Sequence, residues 1–116
     1  MSIKDLLSGL APRTKVVKIS DNKSVTLHEF STIARMKIEE DRQLLAEKED
    51  ATTRDYNESA AKVVAMSMLG IDSEPSKEDV ESVLELLGLD QLDGLYVEAL
   101  KFNGLDNDAQ EEAKKN

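Results

Sequence analysis

The stretch from Ser59 to Gly70, SAAKVVAMSMLG, is the densest apolar run in the chain and constrains the fold most. Its apolar residues at positions 61, 64, 65 and 68 follow the i, i+3, i+4, i+7 spacing of one helix face. Ala60, Val63 and Met66 add a second apolar stripe beside the first. A helix that is apolar on more than one face must be covered from more than one side. The stretch therefore predicts a central helix that is covered by the rest of this chain or by another protein.

The composition favours helices packed on helices. Of 116 residues, 40 % are hydrophobic but only 3 % are aromatic, so the core must consist of Leu, Val, Ile, Ala and Met. A chain of this length forms one domain and can bury a core without cross-links. The absence of cysteine rules out disulfides and is consistent with a cytosolic setting. We expect neither a signal peptide nor a membrane span, which needs roughly 20 consecutive apolar residues.

A short β-hairpin is predicted near the start of the chain. The β-branched run Lys15–Ile19 and the run Val25–Leu27 flank a polar turn at Asp21–Ser24. A hairpin of this size is marginal in water by itself, so it must lie on the helices or pair with another chain.

Four helices are predicted after the hairpin, and the first two come directly after it in the chain. Thr26 and Glu29 have the spacing of a capping box, which predicts a helix over residues 27–48. The central helix is expected over residues 53–69, and Gly70 follows it where a left-handed C-terminal cap is needed.

The last two helices are predicted to form an antiparallel hairpin that closes on the central helix. Ser76 caps the third helix and Gly88 ends it, whereas Asp90 caps the fourth helix and Asn103–Gly104 ends it. The predicted fold class is mainly α, with a small N-terminal β-hairpin followed by a four-helix bundle-like array ending in a helical hairpin.

The chain divides into an N-terminal arm over residues 1–14, one α-rich domain over residues 15–104 and a flexible polar tail over residues 105–116. The arm carries a short amphipathic pattern that predicts one or two helical turns, or a segment that becomes ordered on a partner: Ile3, Leu6, Leu7 and Leu10. The tail is mostly charged, and we expect it to fray.

Catalytic chemistry finds little support in the residues. Without cysteine and with a single histidine, His28, most pairs of nucleophile and base are unavailable. We interpret His28 as a surface residue beside a helix cap. Zinc needs several Cys or His ligands, and the acidic stretches from Asp72 and Asp106 lack the glycine that a calcium loop needs at its sixth position. We therefore predict that the protein is not an enzyme and has no metal and no cofactor.

One alternative involves a covalent modification. Acyl carrier proteins are small, acidic and helical, and the serine of their Gly-x-Asp-Ser-Leu site takes phosphopantetheine. The run Gly70-Ile71-Asp72-Ser73 is similar, but Glu74-Pro75 stands where that family has leucine and the start of a helix. The helix that runs directly into Gly70 also replaces the long loop before the serine. An acyl-carrier-like protein modified at Ser73 therefore stays as an alternative.

The net charge of −9 restricts the class of partner. Acidic surfaces repel nucleic-acid phosphates and anionic membranes, so we expect no nucleic-acid and no membrane partner. The same charge favours basic partners.

Four phrases in this order resemble the tail assembly chaperones of long-tailed bacteriophages. They are DNKSVTLHEF at the hairpin and first helix, AAKVVAMSMLGID at the central helix, SKEDVESVLELL at the third helix and ALKFNGL at the end of the fourth. The resemblance covers roughly residues 15 to 105. The chain departs from the family pattern at His28, where arginine is often found, and at Asp72–Pro75, where Asp-x-x-Gly is often found.

The resemblance implies a non-catalytic role in the cytoplasm of the host bacterium. Such chaperones bind the long tape measure protein, keep it soluble, help the tail tube protein assemble around it and are absent from the mature virion. In many of these phages, a ribosomal frameshift produces a longer product, through which the tail tube protein could be bound. Lys114-Lys115-Asn116 fits an A-rich slippery run.

The expected partner face combines the central helix with the C-terminal helical hairpin. Its candidate residues are Val64, Met68, Leu84 and Leu95, each of which a plain core position would also explain. Uncovered apolar faces and a hairpin edge also permit self-association. The remaining alternative is a small acidic phage regulatory protein that binds a basic host factor.

Overall fold

A computed structural model describes residues 1–105, and it confirms the predicted fold class. The chain is mainly helical, with a two-stranded antiparallel hairpin followed by four longer helices. The elements in chain order are α1 (Ile3–Leu7), β1 (Thr14–Ser20), β2 (Lys23–His28), α2 (Thr32–Glu47), α3 (Thr53–Leu69), α4 (Lys77–Leu86) and α5 (Leu89–Phe102).

Helix α3 is the centre of the fold, as predicted. Thr52 caps its start by accepting a hydrogen bond from the backbone N–H of Asp55, whose carboxylate accepts in return from the N–H of Thr52. Gly70 ends it in the left-handed conformation, with φ +66°. Helices α2, α4 and α5 and strand β2 all pack against α3. Its buried residues include members of both predicted stripes, Ala60, Ala61, Val63, Val64, Ala65 and Met66, and also Ser67, which lies in neither stripe.

The hairpin packs on α3 and α5 through one face. Val17 pairs with Val25 and Lys15 pairs with Leu27 in the antiparallel register. Leu27 is fully buried in the core, and Val17, Ile19 and Val25 pack against that core while remaining partly exposed. The hairpin thus gains from the helices the burial that it lacks alone.

Helix α2 begins later than the capping-box spacing predicts. Thr26 lies in β2 opposite Val16, and the helix starts at Thr32, where the Ser31 hydroxyl accepts from the N–H of Ala34. The prediction was wrong because the backbone of Thr26 is committed to the strand ladder, which local spacing does not reveal. Ala34 and Ile38 face the core.

The start of α5 is also shifted from its prediction. Ser76 caps α4 as expected, but the residue before α5 is Gly88 rather than Asp90. The amide oxygen of Gln91 accepts from the N–H of Gly88 at 2.9 Å, and the amide nitrogen of Gln91 donates to the Ile19 carbonyl at 3.2 Å. One side chain therefore caps α5 and fixes it to β1.

The end of α5 extends the core by one residue beyond the predicted domain boundary. Gly104 has φ +71°, the N–H of Leu105 donates to the Leu100 carbonyl at 2.7 Å, and the N–H of Gly104 donates to the Lys101 carbonyl at 3.2 Å. These two bonds form a Schellman motif, which turns the next side chain back onto the helix. Leu105 is fully buried, although the sequence places it in the polar tail. The rest of the predicted tail lies outside the described residues.

Candidate partner-binding groove

An apolar groove of about 360 Å³ lies between the hairpin, the C-terminal end of α3 and helix α4. Ala65 and Leu95 contribute buried surface, and Met68 lines it from α3 while packing against the core. The hairpin contributes the partly buried side chains of Ile19 and Val25. The groove is open along one side, which suits side chains presented by another protein segment better than an enclosed small molecule.

Two leucines that line the groove have side chains that are largely exposed to solvent. Leu86 on α4 is 81 % exposed, and Leu69 at the end of α3 is 51 % exposed. Leu86 lies off the apolar stripe of α4, which runs through Val80, Val83 and Leu84, whereas Leu69 continues the stripe of α3 at i+8 from Ala61. An apolar residue off the core stripe, such as Leu86, is therefore a sequence signal for this surface, and the predicted partner residues do not include it.

The rim of the groove carries a few polar groups of both signs. Lys23 extends from the start of β2, while Asp79 and Ser82 lie on α4. Asp79 is in the first turn of α4, where its backbone N–H donates to the Ser76 hydroxyl at 3.1 Å. An occupant with an apolar side and both charges at its edges would match this rim.

The four predicted partner residues differ in burial and in whether they reach the groove. Val64 is fully buried and Leu95 is 1 % exposed, so both belong to the core, although Leu95 also reaches the groove. Met68 lines the groove. Leu84 is partly buried and packs against the core. Of the four predicted partner residues, Met68 and Leu95 line the groove, whereas Val64 and Leu84 do not, and the partner face itself stays a prediction.

A second cleft, of about 310 Å³, lies between α2 and α3 and is lined by charged and apolar residues together. Lys62 contacts Glu74 at 2.8 Å, and Lys48 contacts Asp55 at 3.1 Å. The hydrogen bond from Lys62 lowers the pKa of Glu74 below its ordinary value and raises the pKa of Lys62. These two ion pairs link residues that border the cleft.

His28 has a structural position that differs from its prediction. It ends β2 rather than starting a helix, and its Nδ1 lies 2.9 Å from the carbonyl oxygen of Ser67. Because that oxygen only accepts, Nδ1 carries the proton in this contact. The Ser67 hydroxyl donates in turn to the His28 carbonyl at 3.1 Å. This reciprocal pair of hydrogen bonds joins β2 to α3, so Nδ1 of His28 has a structural role.

Ser73 is exposed in the loop between α3 and α4, three residues before the cap of α4 at Ser76. It does not begin a helix, which is the position that the acyl-carrier resemblance implies. Within residues 1–105, no cluster of three or more acidic or histidine side chains is suited to a metal ion.

None of the helices in the described part of the chain has the length and hydrophobicity required to cross a bilayer. Comparison of the sequence with family models and with curated proteins, and of the fold with solved structures, finds no match in any of the three.

Proposed function

We propose that this protein is a non-catalytic tail assembly chaperone of a long-tailed bacteriophage, which binds helical segments of the tape measure protein in its apolar groove. The observation that carries the proposal is the exposure of Leu86 and Leu69, at 81 % and 51 %, beside a preformed groove. Side chains that stay in water contribute no burial energy to the fold. The position of two such side chains beside one concave surface favours a binding role. The choice of client comes from the resemblance in segment order.

The proposed mechanism is helix-in-groove recognition. A client helix presents apolar side chains at i, i+3 or i+4, and these would contact Leu86, Leu69 and Met68. Methionine adapts its shape to clients of different sequence. The net charge of −9 then keeps the complex soluble while apolar client surface is covered.

In this proposal the protein works in the cytoplasm of the host bacterium and leaves before the virion matures. The tail tube protein is recruited by a longer, frameshifted product. The coding DNA tests that part directly, because it requires a slippery heptamer near Lys114-Lys115-Asn116 and an overlapping downstream frame. A stop codon that is accompanied by neither the slippery heptamer nor the overlapping frame would refute the longer product.

Co-purification with the tape measure protein tests the groove. Leu86→Asp should abolish recovery of the client, because it places a charge in the apolar contact while removing little buried surface. Ile33→Asp is the matched control, since Ile33 is 73 % exposed on α2, outside the groove. Circular dichroism should show unchanged helicity for both variants. Equal recovery of the client with both variants would refute the groove as its site.

Two further measurements separate the alternatives. A complex held by apolar contacts should survive high salt, whereas a complex between the acidic surface and a basic host factor should weaken. Incubation with a phosphopantetheinyl transferase should leave the mass unchanged. A mass increase located on Ser73 would support the acyl-carrier alternative instead.

A further inference from the structure

The N-terminal arm is a folded element with an uncovered apolar side. Helix α1 has a complete capping box, in which the Ser2 hydroxyl accepts from the N–H of Asp5 and the Asp5 carboxylate accepts from the N–H of Ser2. None of its residues is buried. The exposed fractions of its apolar side chains are 69 % for Ile3, 60 % for Leu6 and 54 % for Leu7, and Leu10, which follows the helix, is 76 % exposed.

A helix this short needs a surface to hold it. Isolated helices below about 12–15 residues are marginal in water, and α1 has 5 residues. Its apolar side chains Ile3, Leu6 and Leu7 follow the i, i+3, i+4 spacing of a single face. One face of three aliphatic residues matches an open groove that is itself lined by aliphatic residues and methionine.

We propose that the arm of one copy of this protein docks in the apolar groove of a second copy, so that the free protein is a dimer held by arm exchange. The inference concerns this chain alone and does not depend on the identity of any client.

The charges of the arm complement those around the groove. Among the first 13 residues, the only acidic residue is Asp5, against the basic residues Lys4 and Arg13, whereas the whole chain carries −9. The rim offers Asp79 on α4 and Lys23 on the hairpin. Docking would bring Lys4 towards an acidic helix and leave Lys23 as the partner for Asp5.

The connection to β1 makes the chain's own groove a less favourable site than the groove of a second copy. Arg13 is fixed at the start of the hairpin, because its guanidinium contacts Glu29 at 2.8 Å and lies 5.2 Å from the centre of the Phe102 ring. The groove lies towards the opposite end of the hairpin, at Ile19 and Lys23. The strand from residue 14 to residue 19 covers about 17 Å at the usual rise.

The linker would have to be mostly extended to reverse over that distance. The six residue steps from Leu7 to Arg13 span at most about 20–22 Å. Here the linker is bent, since the Ser8 hydroxyl donates to the Asp5 carbonyl and the N–H of Leu10 donates to the Leu7 carbonyl. A second copy has no such restriction.

Analytical ultracentrifugation of the full chain over a range of concentrations tests the inference. We expect a reversible dimer of twice the 12.9 kDa of one chain. An arm variant carrying Leu6→Asp and Leu7→Asp, and separately the groove variant Leu86→Asp, should each raise the dissociation constant by about tenfold or more. Ile33→Asp should leave it unchanged, and all variants should keep the helicity of the parent.

Mixing the two variants distinguishes arm exchange from other modes of association. The arm variant retains an intact groove and the groove variant retains an intact arm, so an equimolar mixture should form more dimer than either alone. A parent chain that is monomeric at every concentration would overturn the inference. So would a dimer that both variants leave intact, since that result would place the interface elsewhere, such as the open edges of the hairpin.

A cross-link gives an independent readout, because the chain contains no cysteine. One preparation carries Ser2→Cys in the arm and the other carries Ser82→Cys at the groove. Oxidation of the mixture should produce a disulfide-linked heterodimer in preference to either homodimer. Formation of the heterodimer and both homodimers in statistical proportions would count against docking.

Discussion

Leu105 is the most informative single position for the stability of this fold, because sequence and structure disagree about it. The sequence places it in a polar tail, where its replacement by alanine would change stability by no more than about 0.5 kcal/mol. In the structure it is fully buried at the end of α5, in the same core as Leu100. We therefore predict that Leu105→Ala is strongly destabilising.

The magnitude follows from the burial of the side chain. Leucine to alanine removes the equivalent of three methylene groups, which at about 0.8 kcal/mol each is a transfer loss of roughly 2.4 kcal/mol. The cavity that remains adds to this loss, and measured substitutions of this kind range from about 2 to 5 kcal/mol. We expect about 3 kcal/mol, which is a substantial part of the 5–15 kcal/mol total stability that is typical of native proteins.

Urea unfolding followed by circular dichroism measures this quantity. The midpoint should fall while the slope stays unchanged, since the surface exposed on unfolding is nearly the same. Leu86→Ala is the matched control: the same substitution at a residue that is 81 % exposed should change stability by less than about 0.5 kcal/mol. Equal, small effects for the two variants would refute the inclusion of Leu105 in the core.

Three other predictions concern helix ends. Gly70→Ala should cost at least about 1 kcal/mol in a thermal or urea melt, because φ is +66° and an added Cβ would lie 3.0 Å from the His28 ring. Ser31→Ala should cost about 1 kcal/mol of stability, because it removes the cap of α2. Thr26→Ala should cost less; a larger loss for Thr26→Ala than for Ser31→Ala would support the capping box that was predicted from the sequence. The pKa of Asp55 is lowered from its ordinary value of 3.8, first by the backbone N–H that its carboxylate accepts from Thr52 and then by Lys48. The stability advantage of the parent over Asp55→Asn should therefore be complete above that value and disappear as the pH falls below it, as urea melts at several pH values would show.

Helix existence was predictable from the sequence because apolar spacing and end signals agree there. The end of α3 follows from one dense apolar run that stops at Gly70, and Ser76 likewise starts α4. The starts of α2 and α5 depend on partners that are distant in the chain. Thr26 is held by Val16 across the hairpin, and the start of α5 is fixed by a glutamine that also bonds to Ile19. Local spacing carries no information about those partners.

The candidate site was less predictable because periodicity identifies the core before it identifies a surface. Val64 and Leu95 follow the helical stripes, and both are buried. Leu86 interrupts the pattern of α4, and its exposure becomes evident only when the faces of the helix are assigned. The phrase Ala99–Leu105, on which the family resemblance partly depends, is explained in the structure by the termination of α5.

Two occupants compete for the groove under the two proposals, and their relative strength determines the order of events. The arm offers three aliphatic side chains on a helix of 5 residues, which must become fully ordered when it docks. A long client helix is already formed over many turns, so less of its binding energy is lost to ordering. The arm can therefore cover the groove while the client is absent and be displaced when the client appears. This order predicts that the client dissociates the dimer, and that deleting residues 1–12 strengthens client binding; a deletion that weakens client binding would instead make the arm part of the client site.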